Sequence, residues 1–447
     1  MRIYNTLSRT IEEFKPIQDR KVGIYTCGPT VYDYPHIGNL RSFLLSDLLQ
    51  RVMEFNDYTV NSVQNITDID DKIIRRAREK NVTILEIAKE FEKCFQEDTD
   101  KLNIKKKNLT PHATDYIGEM QDYINVLIEK DLAYVERDGS VYFDISKFDG
   151  YGKLSNIQKS QLKTGTRILS DEYEKEDVQD FALWKAEEKS EAGFDSPWPP
   201  EGSGDKTGWG RPGWHLECSV MSQECLGETF DVHVGGVDLI FPHHENEIAQ
   251  SEGKTGQKFV NYFVHGAHVL VDGKKMSKSL ENFYRLKDAE EKGYEALALR
   301  YLYLQTHYRQ EMNFTWEALE GAQTALNRLR NRYLASITGK VSLPKEFIDA
   351  VNDDLNFPKA LSVVWENIDD LNKPTLNQID EVLGLGLANY KEEEVEIPEE
   401  INEKVEERER LRGEGKYEHA DLLRKEIETM GFVLEDTPNG IKLRKRY

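Results

Sequence analysis

Cysteine is scarce in this 447-residue chain, which carries only Cys27, Cys94, Cys218 and Cys225. Four cysteines without a repeated short spacing exclude a disulfide framework and leave the thiols free for metal ligation or catalysis. Basic residues are also in deficit, 59 Lys and Arg against 81 Asp and Glu, for a formal net charge of −22. That balance excludes a general nucleic-acid coat, which needs broad phosphate neutralisation, and confines any nucleic-acid contact to local basic patches. Three runs qualify, at 105–107, 328–332 and 442–446. No long apolar run is present, the mean hydropathy is −0.65, and the first residues form no apolar signal core. The expectation is a cytoplasmic protein with no membrane span. No heptad repeat is evident either, so a monomer is expected.

What is present is an α/β alternation. Residues 22–27 read as a strand, 40–55 as an amphipathic helix turning Leu40, Phe43, Leu44, Leu48 and Val52 to a core, and 58–66 as a second strand. Helical periodicity follows over 82–102 and 115–130, and Asp138-Gly139 marks a hairpin within 132–145. The hairpin interrupts the alternation and signals an insertion at about 105–215. Its last part, 193–213, is so rich in Gly and Pro that a long loop is expected there rather than regular structure. Strand patterns at 229–234 and 259–271 then flank the segment Phe241-Pro-His-His-Glu-Asn-Glu247. Together these predict an α/β fold: a Rossmann-like parallel-sheet catalytic domain over 1–290, with the insertion inside it. Residues 291–390 read as a helical bundle domain, with Thr315 as an N-cap and Pro358 near a first helical position. Residues 391–400 form an acidic linker, and 401–447 a small mixed α/β module of helices and a hairpin turning at Pro438-Asn439-Gly440.

Three motifs give this outline chemistry. His243 and Glu247 stand at i, i+4 on one face of an expected helix, the spacing a metal needs from two ligands on one element. Cys27, ending the first strand, and Cys218, following Gly210-Arg-Pro-Gly-Trp-His-Leu-Glu217, are placed to add soft ligands; the alternative is a solvated helix face. The loop Cys27-Gly-Pro-Thr-Val-Tyr-Asp-Tyr-Pro-His-Ile-Gly-Asn39 leads into a helix N-terminus, an anion site. There His36 and Asn39 can donate to a triphosphate while Gly38 leaves room for the ligand, although the loop alone is equally an ordinary strand-to-helix turn. Gly273-Lys-Lys-Met-Ser-Lys-Ser279 puts cationic tips on a loop able to close over a pyrophosphate, or is a basic surface turn. Cys94, spaced with Phe91 and Phe95, reads as core, and Cys225 as a small buried residue.

In this order on a βαβ pattern, His36-Ile-Gly-Asn39 and Lys275-Met-Ser-Lys-Ser279 resemble the two signatures of class I aminoacyl-tRNA synthetases. The first departs from the class pattern at its last position, where Asn39 stands in place of a second His; an amide donates a neutral hydrogen bond but carries no positive charge. From end to end the chain resembles the cysteinyl-tRNA synthetase family. The stretches that carry the likeness are Asn65-Ile-Thr-Asp-Ile-Asp-Asp-Lys-Ile73, Arg211-Pro-Gly-Trp-His-Leu-Glu-Cys-Ser219, Gly235-Gly-Val-Asp238, 241–250, Asp353-Asp-Leu-Asn356 and Ala420-Asp-Leu-Leu-Arg424.

The resemblance implies one Zn2+ per chain held by Cys27, Cys218, His243 and Glu247, with ATP, L-cysteine and tRNA(Cys) as partners and Mg2+ accompanying ATP. It implies catalytic roles for His36, Asn39, Lys275 and Lys278, and ATP contacts from His36, Asn39, Asp238 and Lys278. Gly28, Thr67 and Trp214 match the family's cysteine pocket, with His233, His244 and Trp209 expected in the same region. Zinc would select the substrate as thiolate, a distinction apolar pockets make only about a hundredfold, so no separate editing site is expected. The tRNA would cross the helical domain and reach its anticodon into 401–447, where Phe432 and Tyr447 stand near the basic tail. Two other functions fit parts of the chain: an ATP-dependent ligase of cysteine to an amino-sugar thiol precursor, and a non-catalytic synthetase-like binding protein.

Overall fold

Apolar residues bounded by turn signals form the central sheet, and its strand order sets where a ligand can bind. In the computed structural model, which describes residues 1–157, 167–168, 179–276, 282–336, 342–391, 398–437 and 440–445, the sheet begins with Lys21–Thr26 (β1), followed by the helix Ile37–Phe55 (α1) and Thr59–Gln64 (β2). After the insertion come the helix Trp214–Leu226 (α2), Phe230–Gly236 (β3), the helix Glu245–Thr255 (α3) and Val260–Gly266 (β4). All pairings are parallel, in the order β4-β3-β1-β2. The chain leaves β1 for β2 on one side and returns to β3 on the other. The carboxyl ends of β1 and β3 therefore form a topological switch point, where open α/β sheets bind ligands.

Helix α1 begins at Ile37 rather than 40, because His36 caps it, and it is buried on almost every side. Its polar core residues have partners. Asp47 accepts from Arg51 (2.9 Å) and from Arg300 (2.6 Å), both side chains being nearly or fully buried. Burial alone would push the Asp47 carboxyl up, but the two guanidinium groups outweigh it and hold the carboxyl below its ordinary value. Arg300 also donates to the carbonyls of Leu383 (2.7 Å) and Leu102 (2.9 Å), so one ion cluster joins α1 to the helical region. Asp47→Ala would strand two buried cations, and it is expected to lower the unfolding free energy by about 3–5 kcal/mol in a denaturant titration.

The expected hairpin forms from Ala133–Val135 and Val141–Phe143, and it opens a mostly antiparallel sheet. The expectation of a loop over 193–213 is corrected: Phe194–Ser196 and Gly208–Pro212 are paired strands, with Gly208–Pro212 also pairing Asp180–Ala186. The glycines are there for close backbone approach, since a Cβ at Gly208, Gly210 or Gly213 would collide with the carbonyls of Trp198, Lys185 and Ala182 respectively. Cys94 and Cys225 are half-buried rather than core.

The helices Ala296–Leu304, Trp316–Ala335, Lys345–Asn352, Phe357–Glu366 and Lys373–Leu383 make up the helical region, and Thr315 caps its helix by accepting from Ala318 N–H. Met312–Phe314 pairs in parallel with Val269–Val271, tying that region to the segment after β4. Members of two basic runs make internal contacts. Arg330 pairs with Glu295 (2.7 Å), Arg328 lies over the Trp365 ring, and Arg332 donates to Ile368 O (2.7 Å). Lys105 pairs with Glu54, and Lys107 donates to Ser46 Oγ (3.0 Å). The last module, Glu399–Gly413, Tyr417–Thr429 and the hairpin Phe432–Thr437 with Gly440–Lys445, closes around Ile401, Ile427, Phe432 and Leu434. Tyr447 and the turn residues Pro438 and Asn439 lie outside the described residues. Among the described residues no helix is long and apolar enough to cross a membrane.

Candidate active site

Cys27 continues β1 by one residue, its N–H donating to Val234 O of β3 (3.3 Å), so its thiol sits at the switch point. Cys218 comes from the second turn of α2 and Glu247 from the first turn of α3. His243 belongs to the wide turn Ile240–His244 just before α3, not to the helix itself, yet its Nε2 still lies 2.9 Å from Glu247 Oε1. The four ligand atoms are buried and lie within 4.8 Å of one another. The Cys27 and Cys218 sulfurs are 3.8 Å apart, far beyond a disulfide bond of about 2.05 Å.

The charges of this cluster are set by mutual contact. Burial pushes the Cys218 thiol up, but the Cys27 thiol and a positive His243 outweigh it and bring Cys218 to about 6. Burial would lower His243, and the adjacent Glu247 and Cys218 reverse this, raising it to about 10. Burial would raise Glu247, but His233 and His243 hold it at about 2. Cys27 is pushed up, by burial first and then by Cys218. His243 Nδ1 stands 2.9 Å from Nδ1 of His215, whose own pKa burial drives well below the ordinary histidine value; neutral His215 thus accepts the Nδ1 proton and fixes the ring. His243 Nε2 has Glu247 close by but no hydrogen-bonding partner in line.

Two thiols, an imidazole nitrogen and the carboxylate it faces, gathered in a buried cluster, are the donor set a tetrahedral zinc takes, so the residues present fit that ion. His233 and His244 form a second layer. His233 Nε2 is 2.7 Å from Glu247 Oε2, and His244 Nε2 is 3.3 Å from Cys27 Sγ while its Nδ1 faces His265 Nε2 at 2.8 Å. With Cys27 and Glu247 these two histidines also make a four-residue set. The Nε2 atoms of its two histidines already face Glu247 and Cys27, whereas the set with Cys218 and His243 holds the depressed thiol.

From Cys27 a cavity of about 440 Å³ runs over the sheet ends, lined among others by Gly28, His36, Asn39, Trp214, Asp238 and Lys275. Trp214 stacks on His243 with ring centroids 4.1 Å apart. Gly28 donates to Asn65 Oδ1 (2.8 Å), and a side chain there would collide with the Asn65 carbonyl. Thr67 is fully buried behind the cavity wall, where its hydroxyl donates to Glu217 Oε2 (2.8 Å). Trp209 is not in this region: its indole N–H donates to Glu191 O (3.0 Å) in the insertion.

At the other end, His36 and Asn39 form a capping box. Asn39 N–H donates to His36 Nδ1 and His36 N–H to Asn39 Oδ1, each at 3.2 Å. A histidine accepting at Nδ1 carries its ring proton on Nε2, so Asn39 fixes which nitrogen donates. Gly38 is required because a Cβ would stand 2.8 Å from the His36 ring. Lys275 is exposed at the cavity edge, and Lys278 lies in 277–281, outside the described residues. Sequence reasoning assigned no part to His215, His265 or Glu217; each is held only through folding, though His215 and Glu217 sit beside Cys218 in the quoted motif.

Residues 13–324 match the family described as tRNA synthetases class I (C) catalytic domain, and residues 346–389 match the DALR domain. The chain is similar to a methionyl-tRNA synthetase of Mycobacterium tuberculosis bound by methionyl-adenylate, with a TM-score of 0.58 at 14% identity, covering 84% of this chain and 86% of that one. It is similar to a LeuRS–tRNA–LeuAMS ternary complex from Agrobacterium radiobacter K84 at a TM-score of 0.58 and 10% identity, covering 84% of each chain. The fold is that of a class I aminoacyl-tRNA synthetase. Among curated relatives, the cysteine--tRNA ligases of Protochlamydia amoebophila (98% of its length) and Caldicellulosiruptor saccharolyticus (100%) are each 41% identical over 100% of this chain. That of Chlamydia felis is 42% identical over 99% of this chain and 97% of its own. The chain belongs to the cysteine--tRNA ligase family and is an enzyme of that family.

Proposed function

We propose that the protein activates L-cysteine with ATP and transfers it to tRNA(Cys), selecting the substrate by its thiol at the Cys27, Cys218, His243 and Glu247 cluster. The observation that supports this reading is that Cys27 of the buried ligand set lines the cavity over the switch point, as does Trp214, which stacks on His243, so the cluster lies against the wall of the cavity. These four residues would hold Zn2+, which when bound would supply a borderline-soft Lewis acid that prefers a thiolate to a hydroxyl. The residues around it prepare the rest. His215 orients His243, Trp214 covers it, and Gly28, lining the cavity, lets the Asn65 main chain pack against the end of β1, while Thr67 acts at one remove by fixing Glu217.

The cysteine carboxylate attacks the α-phosphorus of ATP, forming cysteinyl-adenylate and releasing pyrophosphate. The terminal ribose hydroxyl of the tRNA then attacks the acyl carbon and displaces AMP. No protein nucleophile is needed; His36 Nε2–H and Asn39 position the phosphates, Lys275 and Lys278 neutralise them, with Mg2+ arriving on ATP, and Asp238 accepts from the ribose hydroxyls. Discrimination made at the thiol leaves no need for a separate editing step. The enzyme works as a cytoplasmic monomer.

The test is purified protein with ATP, labelled cysteine and tRNA. Acid-precipitable, alkali-labile label supports the proposal; label in a small product would favour ligation to an amino-sugar thiol precursor, and no label a binding protein. Deleting 401–447, whose core of Ile401, Ile427, Phe432 and Leu434 is its own, is expected to lower tRNA charging by at least about a hundredfold, the scale of several lost base and phosphate contacts, while cysteine-dependent ATP–pyrophosphate exchange stays within about twofold. Collapse of both would refute this division of labour.

A further inference from the structure

Arg41 lies one turn into α1 beyond His36, 6% exposed, and among the described residues no carboxylate pairs with it. Its guanidinium donates instead to four main-chain carbonyls. Nη1 reaches Ala267 O (2.9 Å) and His268 O (3.2 Å), and Nη2 reaches His307 O (3.1 Å) and Gln310 O (2.9 Å). Burying a cation is costly unless its hydrogen bonds are made, and four convergent carbonyl dipoles need a cation between them. Each side therefore requires the other.

What Arg41 holds is a wall of the cavity. Ala267 and His268 follow β4 and line it beside Gly236, Asp238 and Gly38. β4 is two strands from β1, so this wall stands roughly 10 Å from Cys27, given the ~4.8 Å spacing of neighbouring strands. It borders the end of the cavity that the proposed function assigns to ATP. The strip 307–310 behind it is anchored in turn by Asp354, which accepts from Tyr308 Oη (2.6 Å), Arg309 Nε (2.7 Å) and Tyr4 N–H (2.8 Å). Asp354 and Leu355 hold φ of +58° and +55°, a left-handed pair that L side chains seldom adopt and that these contacts pin. Ala267 N–H donates to Tyr308 O (2.8 Å), so the clasp is closed from both sides.

We propose that Arg41 is a positioning residue for ATP: it draws the carbonyls of Ala267 and His268 against α1 and so fixes the nucleotide wall relative to His36 and Asn39. The inference rests on the reading of the cavity as the ATP site. In the full chain, Arg41→Lys keeps the charge but cannot bridge four carbonyls. Its KM for ATP in cysteine-dependent ATP–pyrophosphate exchange is expected to rise about tenfold, with the KM for cysteine within about twofold of the parent. A merely structural arginine would instead lower the active fraction and leave both KM values unchanged, which would overturn the proposal. Asp354→Asn, which tolerates the same φ but loses the charge facing Arg309, tests the clasp from its far side. A rise of about threefold in KM for ATP alone is expected, and an unchanged KM for ATP there would overturn the proposal even if Arg41→Lys did not fold. Absence of exchange in the parent protein would mark failure of the functional reading itself, and the inference would fall with it.

Discussion

Cys218→Ala is expected to raise the KM for cysteine in ATP–pyrophosphate exchange by at least about a hundredfold and to bring serine within about tenfold of cysteine, because the remaining pocket can separate the two only weakly. The reason is local. Cys218 is the thiol that the cluster already favours as thiolate, at about 6, and the Cys27 sulfur is 3.8 Å away with Glu247 3.6 Å beyond it. Removing Cys218 leaves Cys27, whose thiol burial pushes up, as the one soft donor of the set. Bound zinc, read by atomic emission on the dialysed protein, should fall in parallel. The loss of stability should be smaller than the loss of selectivity, because Cys27 and Glu247 still contact His244 and His233 and α2 keeps its apolar packing. A variant that unfolds, yet whose residual active fraction rejects serine as well as the parent does, would return the cluster to a purely structural role.

His36→Ala is expected to lower the rate of adenylate formation by about 10²–10³-fold, the scale of losing one preorganised donor to developing charge, with little change in the KM for cysteine. The capping box is what preorganises it. Asn39 N–H occupies Nδ1 and so puts the proton on Nε2, and Phe283 packs edge-on against the ring at 4.9 Å. Asn39→Ala keeps the N–H but removes the Oδ1 acceptor for His36 N–H, so a smaller loss of about tenfold is expected. Equal losses in the two variants would mean that Asn39 contacts the phosphates as strongly as His36 does. The departure from a second histidine at position 39 thus has a structural rationale: the side-chain oxygen there accepts from the His36 main-chain N–H and closes the capping box, a task an amide performs without charge.

Much of this architecture was legible before the fold was known. Period-2 and period-3.6 patterns located β1, α1 and β2 within a few residues, because apolar spacing and burial are the same property seen twice. His243 and Glu247 were readable as a pair from their spacing, although a wide turn rather than a helix carries the histidine. The meeting of Cys27 with Cys218, 191 residues apart, was readable only through family resemblance, since no local pattern encodes a contact across a sheet switch point. The 193–213 segment misled because glycine signals a turn and a close strand approach alike, and only the carbonyls of Trp198, Lys185 and Ala182 decide between them. The 328–332 and 105–107 runs show a related limit: charge composition does not reveal that Arg330 pairs with Glu295, Lys105 with Glu54, and that Lys107 donates to Ser46. Arg41 was invisible for the same reason, its four acceptors being main-chain atoms that carry no sequence signature.

The central claim is that the metal cluster binds the substrate and does not merely brace the fold. X-ray absorption at the zinc edge of the purified enzyme, recorded with and without L-cysteine, tests it most directly. The expected result is two sulfur ligands without cysteine, from Cys27 and Cys218, rising to three when cysteine is added and staying at two with serine. A sulfur count that cysteine leaves unchanged, at a concentration that saturates exchange, would contradict the account.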